Sequence, residues 1–201
     1  FVRFLHNHGM LTVDDRPTWR TISGGSARYV EKLTTPFRDR IHLATPVEQV
    51  RRLPGGVLVK PRGQEAVRFD AVFLACHSDQ ALGLLADPSA AEREVLGAIP
   101  YQANETVLHT DVRLLPRRRL AWAGWNYHVR PNGGPVALTY NMNILQRLDA
   151  PTPLLGTLSH TDAIDHDRII KRISYHHPLH TPASVAAQAR PWPRGRADAG
   201  S

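Results

Sequence analysis

Five of the eleven histidines cluster in two groups, His6 with His8, and His176 and His177 with His180. A metal centre needs three or four donors converging at about 2.0 to 2.2 Å with a supporting second layer. Neither group is accompanied by an H-E-x-x-H helix or an acidic triad, so the sequence assigns no metal and places these histidines at packing or turn positions. Serine hydrolysis has no G-x-S-x-G elbow to build on. Ser23-Gly24-Gly25-Ser26 has the look of a phosphate cradle but lacks the Lys-Ser/Thr that completes one; its glycines suit close backbone approach at a helix start. Cys76 is the single cysteine, which excludes an internal disulfide and a multi-cysteine zinc site. It is expected to pack as a small apolar residue beneath a helix. A reactive thiol needs a base, and the adjacent His77 would face the other side of a strand.

The most suggestive pocket-forming groups are Trp125-Asn126-Tyr127-His128 and Tyr140-Asn141-Met142-Asn143. Aromatic faces shape a cavity and amides orient a ligand, so Trp125, Asn126, Tyr127, Tyr140 and Asn141 are the expected substrate wall. No residue is assigned as catalytic acid or base.

The elements that position these groups can be read from periodicity. Ile41 to Val50 and Gly56 to Lys60 alternate as strands around a Pro54-Gly55-Gly56 turn. The run Ala71 to Cys76 is apolar throughout and is expected to form a strand buried on both faces, as in parallel α/β sheets. A helix follows from Ser78 to Leu85. Ser89-Ala90-Ala91-Glu92 has capping-box spacing and opens another helix, which Pro100 ends. From Asn104, Thr106, Leu108 and Thr110 alternate with Val107, His109 and Asp111. Leu120 to Val129 and Val136 to Tyr140 read as further strands joined through Pro131-Asn132-Gly133-Gly134-Pro135, and together these predict an antiparallel sheet. A short helix is expected from Asn141, a strand over Leu154 to Ser159, and a helix from Asp165 to Ile173. At the other end, Phe1 to Arg20 reads as loop and strand, followed by a helix N-capped by Ser26 with Tyr29, Val30, Leu33 and Phe37 on one stripe.

This order of elements resembles the middle of the flavin-containing amine oxidase superfamily, which includes monoamine oxidases, phytoene desaturases and protoporphyrinogen oxidases. The chain is more specifically similar to a bacterial branch of NAD/FAD-binding amine oxidase proteins, from about Phe4 to about Arg190. The phrases that carry the likeness are His6-Asn7-His8-Gly9-Met10-Leu11, Arg16-Pro17-Thr18-Trp19-Arg20-Thr21, Ala75-Cys76-His77-Ser78-Asp79-Gln80-Ala81-Leu82, Ile99-Pro100-Tyr101-Gln102, Leu108-His109-Thr110-Asp111, Trp125-Asn126-Tyr127-His128 and Leu138-Thr139-Tyr140-Asn141-Met142-Asn143.

The resemblance implies a mixed α/β (α+β) fold: part of an FAD-binding dinucleotide fold with a β-meander, plus an antiparallel-sheet substrate domain. It implies domain limits of 1–20 for the end of a substrate-domain segment, 21–86 for a partial FAD-binding domain, 87–188 for the substrate domain and 189–201 for a disordered tail. The implied activity is an FAD-dependent oxidation or desaturation of a small-molecule substrate, with hydride passing to flavin. The main chain of Val47, approached through Pro46, is the implied adenine contact, with Gly24, Gly25 and Cys76 as further cofactor-side positions. Neither the family's opening G-x-G-x-x-G strand-loop-helix nor its closing Gly-rich flavin segment is recognisable here, so the chain reads as an internal fragment. The rival reading is a cofactor-free binding or structural module that keeps the fold.

Composition agrees with a soluble globular class: 201 residues and 42% hydrophobic content allow one ordinary core or parts of two. No apolar run approaches a spanning length and no signal peptide is visible, so the expected location is cytoplasmic. The net charge of +7 comes mainly from scattered arginines. The clusters Arg51-Arg52 and Arg117-Arg118-Arg119 are not interleaved with aromatics, so no nucleic-acid partner is assigned.

Overall fold

The structure, a computed structural model, describes residues 2–14, 18, 20–129 and 137–190. It divides into two compact units, residues 1–43 and 44–201. The 131–135 turn and the tail from residue 191 lie outside the described residues, as do Asp15, Arg16, Pro17 and Trp19.

In the first unit, helix α1 spans Val2–Asn7, where loop and strand are expected from sequence. What closes it is Gly9 at φ +63. This left-handed residue lets the Met10 N–H reach the Leu5 carbonyl (2.9 Å) and the Gly9 N–H reach that of His6 (3.0 Å), a Schellman end. Helix α2 (Ala27–Thr34) begins after Ser26, but the Ser26 backbone is itself helical and its side chain makes no capping bond. The chain instead enters α2 through a turn in which the Gly25 N–H donates to the Ile22 carbonyl at 3.0 Å, with Gly24 and Gly25 at φ +78 and +85. Tyr29, Val30, Leu33 and Phe37 are all exposed.

The second unit opens with an antiparallel three-stranded sheet in the order β1 (Val47–Leu53), β2 (Gly56–Pro61), β3 (Val67–Phe69). The expected strand from Ile41 starts only at Val47, because Ala44 has a positive φ of 52 and Pro46 brings no N–H to a ladder. Pro54 and Gly55 form the two-residue turn, with Gly55 at φ +66 as a type II corner requires.

The largest correction concerns Ala71–Cys76, which forms no strand. Phe73 is 96% exposed, Val72 and Cys76 are also exposed, and only Leu74 is half-buried. An apolar run becomes a doubly buried strand only when neighbouring strands and covering helices surround it, and no strand among the described residues pairs with this one. Cys76 therefore does not pack beneath a helix. A parallel contact does occur nearby, at the isolated bridge between Val50 and Leu85.

Helix α3 (Ser78–Leu84) and helix α4 (Ala90–Gly97) follow as expected. In α4 the Ser89 hydroxyl accepts from the Glu92 N–H (3.2 Å) and Glu92 Oε2 accepts from the Ser89 N–H (2.8 Å). The capping box anticipated from spacing is thus formed in both directions.

The larger sheet has five antiparallel strands in the order β5 (Trp125–His128), β6 (Ala137–Asn141), β7 (Leu155–Leu158), β4 (Tyr101–His109), β8 (Ile169–Pro178). Leu120 lies in a 3-10 turn, Arg119–Ala121, and not in the strand expected from it. The short helix α5 (Met142–Gln146) is capped by Asn141. The helix expected over Asp165–Ile173 is replaced by a 3-10 turn, His166–Arg168, and by β8. Asp165 accepts from the Asp167 N–H (3.1 Å), which starts a turn, and β8, with the β-branched Ile169 and Ile173 opposite His109 and Thr106, then pairs along the whole of β4. Helix α6 (Pro182–Gln188), which the sequence reading misses, has its own signal in Thr181 at the N-cap and Pro182 at the first turn.

Candidate functional site

Period-2 alternation assigns every residue of the five-stranded sheet to one of two faces. Trp125 pairs with Tyr140 and Tyr127 with Leu138. Tyr140 and Leu108 both pair with Gly156. Trp125, Tyr127, Tyr140 and Leu108 therefore share one face, with a side-chain-free position at Gly156 between the last two. This face is open: Trp125 is 44% and Tyr127 62% exposed. The Trp125 and Tyr140 rings meet edge to face at 6.1 Å and 82°, a favoured aromatic geometry. Burial, and secondarily Tyr127, pushes the Tyr140 phenol above its ordinary pKa, so it stays a proton donor.

Asn126 and Asn141 lie on the opposite, buried face. The Asn126 amide donates to the carbonyls of Ala123 (2.7 Å) and Thr139 (3.2 Å) and accepts from the Ala123 N–H (3.1 Å). The Asn141 carbonyl oxygen accepts from the Ile144 N–H at 3.3 Å. The expected wall thus divides: Trp125, Tyr127 and Tyr140 are brought together, while the two amides hold backbone. The alternation of a strand carries this division, and reading consecutive residues as one surface overlooks it.

The buried face also holds residues not singled out as a site. The Asp111 N–H donates to His109 Nδ1 at 3.0 Å, which fixes the proton on Nε2. That N–H donates to Thr157 Oγ1 at 2.8 Å, and the Thr157 and Thr139 hydroxyls are 2.8 Å apart. Burial lowers the His109 pKa, against an upward pull from Asp111. Asp111 itself accepts from Arg113 Nε at 2.9 Å and from the Asp165 N–H at 3.0 Å. The Arg113 hydrogen bonds lead in holding its carboxyl well below the usual carboxylate range, with burial opposing.

Along the outer edge of β5 runs a cleft of about 490 Å³, lined by Leu115, Pro116, Ala121, Ala123, Trp125 and Tyr127, with Arg113 and Arg117 also on its wall.

On the three-stranded sheet, Val47 begins the edge strand β1 beside a bulge between Val47 and Gln49. Its register partner is Pro61, which has no N–H to give it. The Pro46 carbonyl is taken by the Arg62 N–H at 2.8 Å. Cys76 is exposed, and the next residue, His77, stacks on Tyr101 at 4.4 Å. Gly24 and Gly25 belong to the first unit, in the turn described above.

The model of the flavin containing amine oxidoreductases matches residues 3–125, more than half of the chain. The chain belongs to that family. No curated protein matches it in sequence. Among solved structures, it is similar to cyclohexylamine oxidase from Brevibacterium oxydans IH-35A, with 12% identity and a TM-score of 0.50, over 76% of this chain and 38% of that one. An A394C mutant of putrescine oxidase matches at 14% identity and TM-score 0.49, over 67% of this chain and 29% of the other. A CLA-producing fatty acid isomerase from P. acnes matches at 15% and 0.46, over 72% and 38%. At such identities the likeness to cyclohexylamine oxidase concerns the fold alone. The chain spans between 29% and 38% of the length of these solved relatives.

Proposed function

We propose that this chain supplies the substrate-facing sheet and an adenine-contacting strand edge to a cytoplasmic FAD-dependent oxidoreductase. In this reading residues 21–86 are the FAD side, and residues 1–20 and 87–188 the substrate side. The observation that carries it is the open face of the five-stranded sheet, where Trp125, Tyr127 and Tyr140 form an aromatic wall, with Lys171 farther along that face beside Leu108 and Arg113 and Arg117 on the adjoining cleft. Aromatic walls with few polar groups suit the binding of an organic small molecule.

The residues at the strand edge fit the cofactor's adenine end. Val47 sits on an edge strand, next to a bulge, in a pair whose ladder bond runs from the Arg62 N–H to the Pro46 carbonyl and not through Val47 itself, so its main chain is suited to read a base edge. Bound FAD would supply the hydride acceptor, and the protein would supply position and electrostatics. Trp125, Tyr127 and Tyr140 would orient the substrate and exclude water. The Tyr140 phenol, kept protonated by burial, would offer a hydrogen bond and not a base.

The test is to express the longest reading frame that contains this chain, record its visible flavin spectrum, and add candidate amines and alkyl substrates without oxygen. Bleaching of bound flavin by one substrate class is the expected result. A stably folded protein that takes up no FAD would overturn the reading in favour of a cofactor-free module. The 201 residues alone are expected to be colourless, since pyrophosphate binding at a helix N-terminus is a large share of affinity in such folds.

A further inference from the structure

The connection between β4 and β5 carries a patch that the flavin reading leaves unused. Its root is fixed: Leu114 and Leu115 are buried, and Arg113 is held on the buried Asp111. Its far part is fixed as well. The Trp122 indole N–H donates to the Pro116 carbonyl at 2.8 Å, closing residues 116 to 122 into a loop. The Ala121 and Trp122 N–H groups donate to the carbonyls of Arg118 (2.9 Å) and Arg119 (3.0 Å). The Arg119 guanidinium lies 5.1 Å from the centroid of the Trp122 ring.

On this braced loop Leu120 is 103% exposed, flanked in sequence by the exposed Arg117, Arg118 and Arg119. Among the described residues, Arg117 and Arg118 have no ion-pair partner. A soluble surface gains nothing from holding a leucine fully in water on a loop that cannot fold it back. Three guanidiniums beside one such apolar side chain match the chemistry of an anionic membrane surface, phosphate at the headgroups and hydrocarbon just beneath. Single-stranded nucleic acid fits less well. Its bases need aromatic faces to stack on, and the loop's one aromatic ring already carries Arg119 and spends its N–H on Pro116.

We infer that the Pro116–Trp122 loop docks the protein on anionic lipid bilayers, with Leu120 entering the boundary between headgroups and acyl chains and Arg117, Arg118 and Arg119 meeting lipid phosphates.

The experiment is vesicle co-sedimentation of the 201-residue chain. It compares phosphatidylcholine vesicles with vesicles in which about a third of the lipid is phosphatidylglycerol, at low and at raised salt. Circular dichroism checks that each variant folds. The expected result is saturable, salt-sensitive binding to the anionic vesicles only. It should weaken by about tenfold or more in Arg117→Glu/Arg118→Glu and also in Leu120→Asp. The charge-matched control Arg51→Glu/Arg62→Glu, at exposed positions on and beside the small sheet, should bind like the parent chain. Equal binding to both vesicle types, no binding, or Leu120→Asp behaving as the parent would overturn the proposal. So would an equal loss in the control. Binding to a single-stranded oligonucleotide that survives Leu120→Asp while vesicle binding is absent would assign the patch to nucleic acid instead.

Discussion

His109 Nε2 lies 2.8 Å from Thr157 Oγ1, inside the five-stranded sheet, with both side chains fully buried. Because the Asp111 N–H already occupies Nδ1, the Nε2 proton has one direction to go. Thr157 accepts it and can pass its own hydroxyl proton to Thr139, 2.8 Å away. The relay ties the end of β4 to β7 and β6 through side chains, in addition to the main-chain ladder between them.

Replacing Thr157 by valine keeps the shape and removes the acceptor, which strands a buried N–H. The expected loss of stability is about 1 to 3 kcal/mol, the range for an unsatisfied buried donor. Thr157→Ser should recover most of it. Urea titration of the three proteins checks this, and a valine variant as stable as the parent would show that the relay contributes nothing.

The same pair gives a pH dependence with a definite sign. Burial lowers the pKa of folded His109 from 6.5, so below that value the unfolded chain binds a proton that the folded chain refuses. The contribution is fully present above 6.5 and is lost as pH falls below it. Asp111, lowered from 3.8, acts in the same direction but in a lower window: its contribution is lost only as pH drops below 3.8. Melting temperature should therefore decline between about pH 7 and pH 5 before any loss due to Asp111. His109→Gln should be less stable at neutral pH and flatter across that first window. A parent whose stability is flat from neutral to mildly acid pH would refute the assignment.

Local signals in the sequence were legible where their partners lie nearby. The Ser89–Glu92 box, the Pro54-Gly55 turn and the alternation of Val107, His109 and Asp111 all needed only neighbours within a few residues, and each is present. Distant partners decided the rest. Ala71–Cys76 reads as a buried strand only if other strands flank it, and the chain from Ile169 onward takes strand form because β4 offers nine residues to pair with. The site was half legible for the same reason. The aromatic residues Trp125, Tyr127 and Tyr140 announce themselves by type, but which face each occupies follows from register, and the role of Asn126 follows from the backbone groups of Ala123 and Thr139. Leu120 gave no signal, since its exposure depends on the Trp122–Pro116 bond.

Glu92 is the most connected carboxylate on the small-sheet side of the second unit. Burial raises its pKa, but hydrogen bonds from Ser89 and the charge and hydrogen bond of Arg52 outweigh this, and the net shift is downward. Arg52 also donates to the Asp87 carbonyl at 3.1 Å, so β1 is fastened to the start of α4. Ser89→Ala should cost about 1 kcal/mol, the usual value of an N-cap. Glu92→Ala should cost more, because it removes the return bond to Ser89 and leaves Arg52 one acceptor short. A double-mutant cycle measures the coupling, and strict additivity of the two would contradict the reciprocal cap.

Gly55 and Gly56 are adjacent but guard different things. Gly55 has φ +66 and nothing closer than the Arg68 guanidinium at 3.9 Å, so Gly55→Ala meets only backbone strain, about 1 to 2 kcal/mol. A Cβ on Gly56 would lie 2.8 Å from the Phe69 carbonyl oxygen. Since that atom is main chain and belongs to β3, Gly56→Ala should push β3 off β2. Hydrogen exchange of the amides of residues 67–69 should rise in Gly56→Ala and stay near the parent in Gly55→Ala; the reverse order would contradict this geometry.

Asn126 and Trp125 are neighbours in sequence with opposite assignments, which makes them a sharp pair to compare. Asn126→Ala deletes three hydrogen bonds from a buried side chain to the backbone of Ala123 and Thr139 and should lower stability by about 1 to 3 kcal/mol. Trp125→Ala removes a ring that is 44% exposed, so its effect on melting should be the smaller of the two. In the flavin-loaded protein the order should reverse: Trp125→Ala and Tyr140→Ala should raise KM for the substrate, while Asn126→Ala, measured well below its melting temperature, should leave KM near the parent value. A Trp125→Ala enzyme with unchanged KM, or an Asn126→Ala protein as stable as the parent, would show that the two faces of β5 have been assigned the wrong way round.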